Sequence, residues 1–156
     1  MGYNFYSVFS YYLSSPFSLL ILLLMQVMYV NEAVTIAVLL KIGISGACMA
    51  WYMRKKTKGQ KETAICIGCM YGLSNFVLGY YSNLMWLDCL MLLPILAWCI
   101  EELVSAGYWR KYTLLLGYCI FSNYYMGFIL CIFSLLYYMA VYIETEKRKD
   151  PFWKSA

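Results

Sequence analysis

Histidine is missing from this chain altogether. Without it there is no serine–histidine triad and no mixed cysteine–histidine zinc site. No glycine-rich phosphate loop occurs either, so the small residues from Gly43 to Ala47 do not signal nucleotide binding. Charge is scarce: Asp, Glu, Lys and Arg make up 13% of the chain, about half the usual share for a soluble domain. Residues 1–16 hold no cation, so the n-region of a secretory signal is lacking, and the apolar run that follows shows no clear small-residue cleavage site. Between residues 80 and 103 there is no lysine or arginine at all.

What fills the chain instead is apolar. Hydrophobic residues reach 63%, and the mean hydropathy is +0.64. That exceeds what one small soluble core can bury, and it points to an all-α, polytopic helical membrane protein. The net charge of +4 does not indicate a nucleic-acid partner, because the basic residues cluster at the ends of apolar runs, where orientation explains them. Seven cysteines, an odd number at scattered spacing, outline no disulfide framework. Cys66 and Cys69 form a C-x-x-C inside an apolar helix, where small residues are expected to pack against a neighbour.

Three regions follow in order. Residues 1–30 are expected to be interfacial helices of an outer loop. Their first part is aromatic and uncharged, and the run after Pro16 is about 14 residues long, short of the ~20 needed to cross. A full crossing of residues 16–30 is the alternative. Residues 31–143 are expected to form the helical bundle. Asn31 and Glu32 interrupt before a first span over 33–53. Five cations within residues 54–61 then mark a cytoplasmic loop. The chain returns over 63–81 and goes back over 84–103, with a kink at Pro94. A second cytoplasmic loop covers 101–111. A short or broken crossing over 112–121 and a longer one over 128–143 are separated by a turn at 122–127. Residues 144–156 complete the chain as a basic cytoplasmic tail. About five transmembrane helices result, and eleven of the twelve basic residues then lie on one side, which is why this topology is preferred. Gly68 and Gly72, with Gly43 and Ala47 and with Gly46 and Ala50, predict a closely packed helix pair.

Chemistry-bearing residues concentrate in the two outer turns. The first holds Tyr80, Tyr81, Asn83, Trp86 and Asp88, and the second holds Asn123, Tyr124 and Tyr125. Rings stack on the apolar faces of sugars, and amides bond their hydroxyls. An ordinary aromatic belt would use the same rings. Asp88 can serve as a general base, hold a divalent cation through oxygen, or cap a helix beginning near Cys89. Lys41 lies near mid-span. An ammonium there costs roughly 3 kcal/mol or more unless it is paired or snorkels. It can bind the phosphate of a lipid carrier or pair with a carboxylate or carbonyls of the bundle. Glu32 reads as a solvated interface residue.

The runs FSYYLSSPFSLLILL, LLKIGISGACMAWYM, YGLSNFVLGYYSNLMWLDCLMLLPILAWCIEEL and SNYYMGFILCIFSLLYY, in that order, resemble the bacterial YfhO family of membrane proteins. The W-L-D with its following L-L-P, and the S-N-Y-Y-x-G, are the specific parts. The resemblance implies a type C glycosyltransferase architecture, in which a polyprenyl-phosphate sugar is the donor and transfer to a cell-envelope polymer such as lipoteichoic acid occurs on the outer face of a bacterial plasma membrane. A polyprenyl-phosphate sugar synthase would then be a partner, beside membrane lipids and the acceptor. Family members are several times longer and begin with a further helix and an outer loop carrying the usual catalytic aspartate. The chain is therefore expected to be an N-terminal internal fragment, with Asp88 as a second carboxylate near the site. A lipid-linked sugar flippase and an inactive truncated remnant are the alternatives.

Overall fold

The computed structural model describes residues 29–57, 60–81 and 83–149, together with Leu23 and Gln26; the side chains of Met85 and of residues 147–149 are excepted. The expected interfacial helices of residues 1–30 and the end of the tail lie almost wholly outside the described residues. From Val30 on, the described residues form six helices in order: α1 (Val30–Lys56), α2 (Lys61–Gly72), α3 (Asn75–Gly79), α4 (Leu84–Ala106), α5 (Trp109–Ser122) and α6 (Tyr124–Lys149). There is no strand among the described residues.

Local chemistry sets most of the ends. Arg54, Lys55 and Lys56 occupy the last turn of α1, where cations meet the negative end of the helix dipole. Gly107 closes α4 at φ 73°, the left-handed conformation that glycine adopts without strain, and its amide returns to the Leu103 carbonyl. Asn123 is the sole break between α5 and α6. Its backbone is extended, and its Oδ1 accepts the Met126 amide at 3.0 Å, capping the new helix.

Helices stand at all five segments expected to cross, with several adjustments. Asn31 and Glu32 do not interrupt: they form the first turn of α1. The return over 63–81 is broken at Leu73 and Ser74, where the backbone turns extended before α3. The turn expected over 122–127 contracts to Asn123, because one extended residue and one side-chain cap suffice to reverse the chain. The tail is helical as far as Lys149. Among the described residues three helices, α1, α4 and α6, are long and apolar enough to cross a membrane. The 12 residues of α2 and the 14 of α5 span only about 18 and 21 Å at 1.5 Å per residue.

Packing places α4 at the centre, against α1 on one side and the α5–α6 hairpin on the other. Cys89, Leu96 and Ile100 of α4 bury themselves with Cys119 of α5 and with Met126 and Leu130 of α6. Leu87 joins Val38 of α1 and Val77 of α3. Large apolar side chains elsewhere, such as Leu39, Leu40, Leu135 and Leu136, are exposed, as lipid-facing positions require.

The α1–α2 contact is made by glycine. A Cβ at Gly68 would stand 2.7 Å from both the Gly46 carbonyl oxygen and the Ala50 Cβ. Gly43 and Ala47 stand at its edge: both are exposed, and they line the open groove beside it with Gly46, Gly68 and Gly72. A Cβ at Gly43 would meet nothing within 4 Å. Cys66 and Cys69 are exposed and free rather than packed in: Cys69 lines the open groove beside Gly68 and Gly72, and Cys66 lies about 200° round the helix from Gly68. α4 runs on through Pro94, and Tyr71 of α2 reaches across to bond its Leu90 carbonyl at 2.7 Å.

Candidate functional site

Every fourth residue of α1 from Ala33 is buried: Ala33, Ala37, Lys41 and Ser45. This stripe faces the core, and it carries one cation. Lys41 is 2% exposed. Its Nζ lies 2.6 Å from Asp88 Oδ1 and donates to the Leu84 carbonyl at 2.8 Å. Asp88 is completely buried. The pair therefore ties the middle of α1 to the first turns of α4, and each charge answers the desolvation cost of the other.

Asp88 does not cap a helix. The helix begins at Leu84 rather than near Cys89, so Asp88 sits a full turn inside it, and no side chain bonds the free amides at its start. No cluster of three His, Cys, Asp or Glu side chains suited to a metal occurs among the described residues. Asp88 is thus not joined there by a ready set of divalent-cation ligands.

Above this pair the two aromatic turns meet. Phe76 packs on Tyr80 with ring centroids 5.0 Å apart, Tyr80 on Trp86 at 5.3 Å, and Trp86 stacks on Tyr125 at 6.0 Å. One row of rings thereby joins α3, α4 and α6. Tyr80 and Tyr125 are each nearly half exposed, so the row has an open face. Two N–H groups are buried with no acceptor among the described residues: Trp86 Nε1, within the row, and Asn123 Nδ2, two residues before Tyr125 in the sequence. The Asn123 carbonyl oxygen is used in capping, and its amide nitrogen is left over. Buried donors of this kind are rare, and each calls for an acceptor such as an ordered water or a ligand oxygen.

The other expected site residues are placed differently. Asn83 is half-buried at the start of α4, its side chain making no cap. Tyr81 turns toward α1, lining a cavity of about 490 Å³ with Val34, Val38 and Leu84. Tyr124 lines an apolar hollow with Ile120, Phe128 and Tyr125 itself. The structure brings together Tyr80, Trp86 and Tyr125, sets Lys41 and Asp88 against each other, seats Tyr124 beside Tyr125 in one hollow, and turns Tyr81 toward α1.

A second polar cluster, not anticipated from the sequence, lies at the far end of the same helices. Glu101 Oε1 accepts from Tyr52 (2.7 Å), Tyr137 (2.6 Å) and Lys56 (2.7 Å). One carboxylate thus gathers α1, α4 and α6. The signal was available in part, since Tyr52 continues the buried stripe seven residues beyond Ser45, two turns further along. With Lys41 on Asp88 and Tyr52 on Glu101, α1 and α4 run in the same direction, and all described loop cations fall at the Glu101 end.

Residues 1–156 match the family model described as bacterial membrane protein YfhO, and the chain belongs to that family. No curated protein and no solved structure matches it.

Proposed function

With YfhO membership as the premise, we propose that this chain forms part of a membrane glycosyltransferase. In this reading it handles a sugar delivered on a polyprenyl-phosphate carrier for transfer to a cell-envelope polymer of the lipoteichoic-acid type. The site end faces outward from a bacterial plasma membrane, and the basic end faces the cytoplasm, as the distribution of Lys and Arg favours. The family supplies the reaction class. The single structural observation that supports the reading is the row of Tyr80, Trp86 and Tyr125, whose residues carry or adjoin in sequence two donors with no acceptor among the described residues, Trp86 Nε1 and Asn123 Nδ2. Rings offer a platform for the apolar face of a sugar, and the two N–H groups suit hydroxyl or phosphate oxygens.

Asp88 and Lys41 take a positioning role here. Their mutual burial holds the first turns of α4, and with them Trp86, at a fixed height against α1. Lys41 neutralises Asp88 rather than reaching out to a carrier phosphate. A flippase for the same lipid-linked sugar is the second reading, and one observation favours it: with Asp88 sealed against Lys41, no carboxylate of the pair faces solvent as a base.

The test reconstitutes the full chain in vesicles with labelled polyprenyl-phosphate hexose. Binding should be retained by the wild type and fall about tenfold or more in Trp86→Leu, the loss of one stacked ring and its donor. Label appearing on an added glycerol-phosphate polymer supports transfer. Label moving between leaflets with its lipid intact supports flipping. Equal binding by wild type and Trp86→Leu would remove the ring platform from the proposal.

A further inference from the structure

The basic end holds an arrangement that orientation alone does not require. Trp51 of α1 and Trp98 of α4 meet edge to face, with centroids 5.1 Å apart. Lys55 Nζ lies 4.3 Å from the Trp51 ring and 4.2 Å from the Trp98 ring. Lys111, from the start of α5, comes to the same indole at 4.7 Å. Two ammoniums from different helices thus share one ring. Like charges so gathered repel unless an anion stands near both.

The carboxylates at this end are unevenly spent. Glu102 serves Lys111 at 2.9 Å, and Glu101 serves Lys56. Lys55 has no carboxylate within ion-pair distance among the described residues, although it is held in place by two indoles. Arg54 and Arg110 lie exposed at the same end, and Arg110 rests 6.0 Å over Trp109. Indole rings settle at the headgroup layer of a bilayer, where their bodies are apolar and their edges wet. The ligand that brings a fixed negative charge to that depth is the phosphodiester of an anionic lipid.

We propose that Lys55 and Lys111, seated on Trp51 and Trp98, form a binding site for the headgroup of an anionic phospholipid. The lipid phosphate bridges the two ammoniums and so fastens α5 to the α1–α4 pair. The site lies at the opposite end of α4 from the Trp86 platform and is independent of any activity there.

The experiment titrates the purified full chain, in neutral detergent, with dioleoyl-phosphatidylglycerol and counts retained lipid by native mass spectrometry. One such lipid should be held in preference to dioleoyl-phosphatidylcholine. The double variant Lys55→Gln with Lys111→Gln should weaken it at least about tenfold. The double variant Lys55→Arg with Lys111→Arg should restore it, which separates loss of charge from loss of fold. Lys61→Gln, an exposed cation at the start of α2 with no ring contact among the described residues, should stay within about twofold of wild type. The proposal is overturned if phosphatidylcholine is held equally, if Lys61→Gln loses as much as the paired variant, or if millimolar inorganic phosphate displaces the lipid fully, which would make this a site for free phosphate.

Discussion

The hydroxyl of Tyr71 takes the place of an amide that Pro94 does not have. Residue 94 should donate its N–H to the carbonyl of Leu90, four residues back, and proline has none to give. Tyr71 donates to that carbonyl instead, at 2.7 Å. A proline is tolerated in a buried helix when a neighbouring helix meets the carbonyl it strands. The sequence predicts a kink from Pro94; the structure adds the hydroxyl that makes the proline bearable.

This bond makes a defined cycle. Tyr71→Phe should destabilise the bundle by about 1–2 kcal/mol, the cost of leaving a buried carbonyl unpaired. In a Pro94→Ala background the cost should shrink to a few tenths, because alanine at that position supplies the missing amide. Denaturation of all four proteins in mixed micelles measures the coupling. Equal costs in both backgrounds would mean that Tyr71 acts by packing alone.

The Lys41–Asp88 pair should behave as a buried pair. Lys41→Met or Asp88→Leu alone leaves one buried charge and should cost about 3–5 kcal/mol. The double change Lys41→Met with Asp88→Leu should recover much of that loss. Unfolding midpoints of the three variants decide it, and a double variant no better than the worse single would contradict mutual compensation.

Gly68 and Gly43 should differ sharply despite their similar settings in sequence. Gly68→Leu drives a side chain into the Gly46 carbonyl, where a Cβ alone would already lie 2.7 Å away, and should separate α2 from α1. Gly43→Leu meets open space and should leave folded yield within about a factor of two. Crosslinking between cysteines introduced at Ala50 and Ala64, in a background without native cysteines, reports whether α2 stays docked.

The Glu101 cluster predicts non-additive effects. Tyr52→Phe and Tyr137→Phe each remove one donor from the same oxygen, and their hydroxyls lie 3.0 Å apart. Coupling of about 0.5–2 kcal/mol is expected in the double-mutant cycle. In a Glu101→Gln background both tyrosine changes should cost less. Simple addition of the two single effects would show that Glu101 is not the shared acceptor.

Orientation has its own test. In a cysteine-free background, a single cysteine at Asn83 should react in intact cells with a reagent that cannot cross the membrane, and one at Lys58 should not. The opposite pattern would place the Trp86 platform on the cytoplasmic side.

How much of the site was legible varies residue by residue. Asp88 and Lys41 each stood out as a charge at membrane depth, and the readings open for Lys41 included a carboxylate partner. That they choose each other depends on α1 and α4 lying side by side. Trp86 and Tyr125 were picked from separate turns, and only the fold stacks them. Tyr81 carries the same signal in sequence, yet it lines a cavity against α1 instead. Glu101 looked like one more loop acid.

The membrane class, the all-α fold and the placing of the five helical segments came from the sequence, because hydropathy, helix length and loop charge are properties of consecutive residues. Which side chains meet was left to tertiary structure. A pairing across 47 positions, as between Lys41 and Asp88, depends on how far each helix is rotated about its axis and how high it stands beside its neighbour. Those two quantities are set by close contacts such as that of Gly46 on Gly68, which no single segment contains.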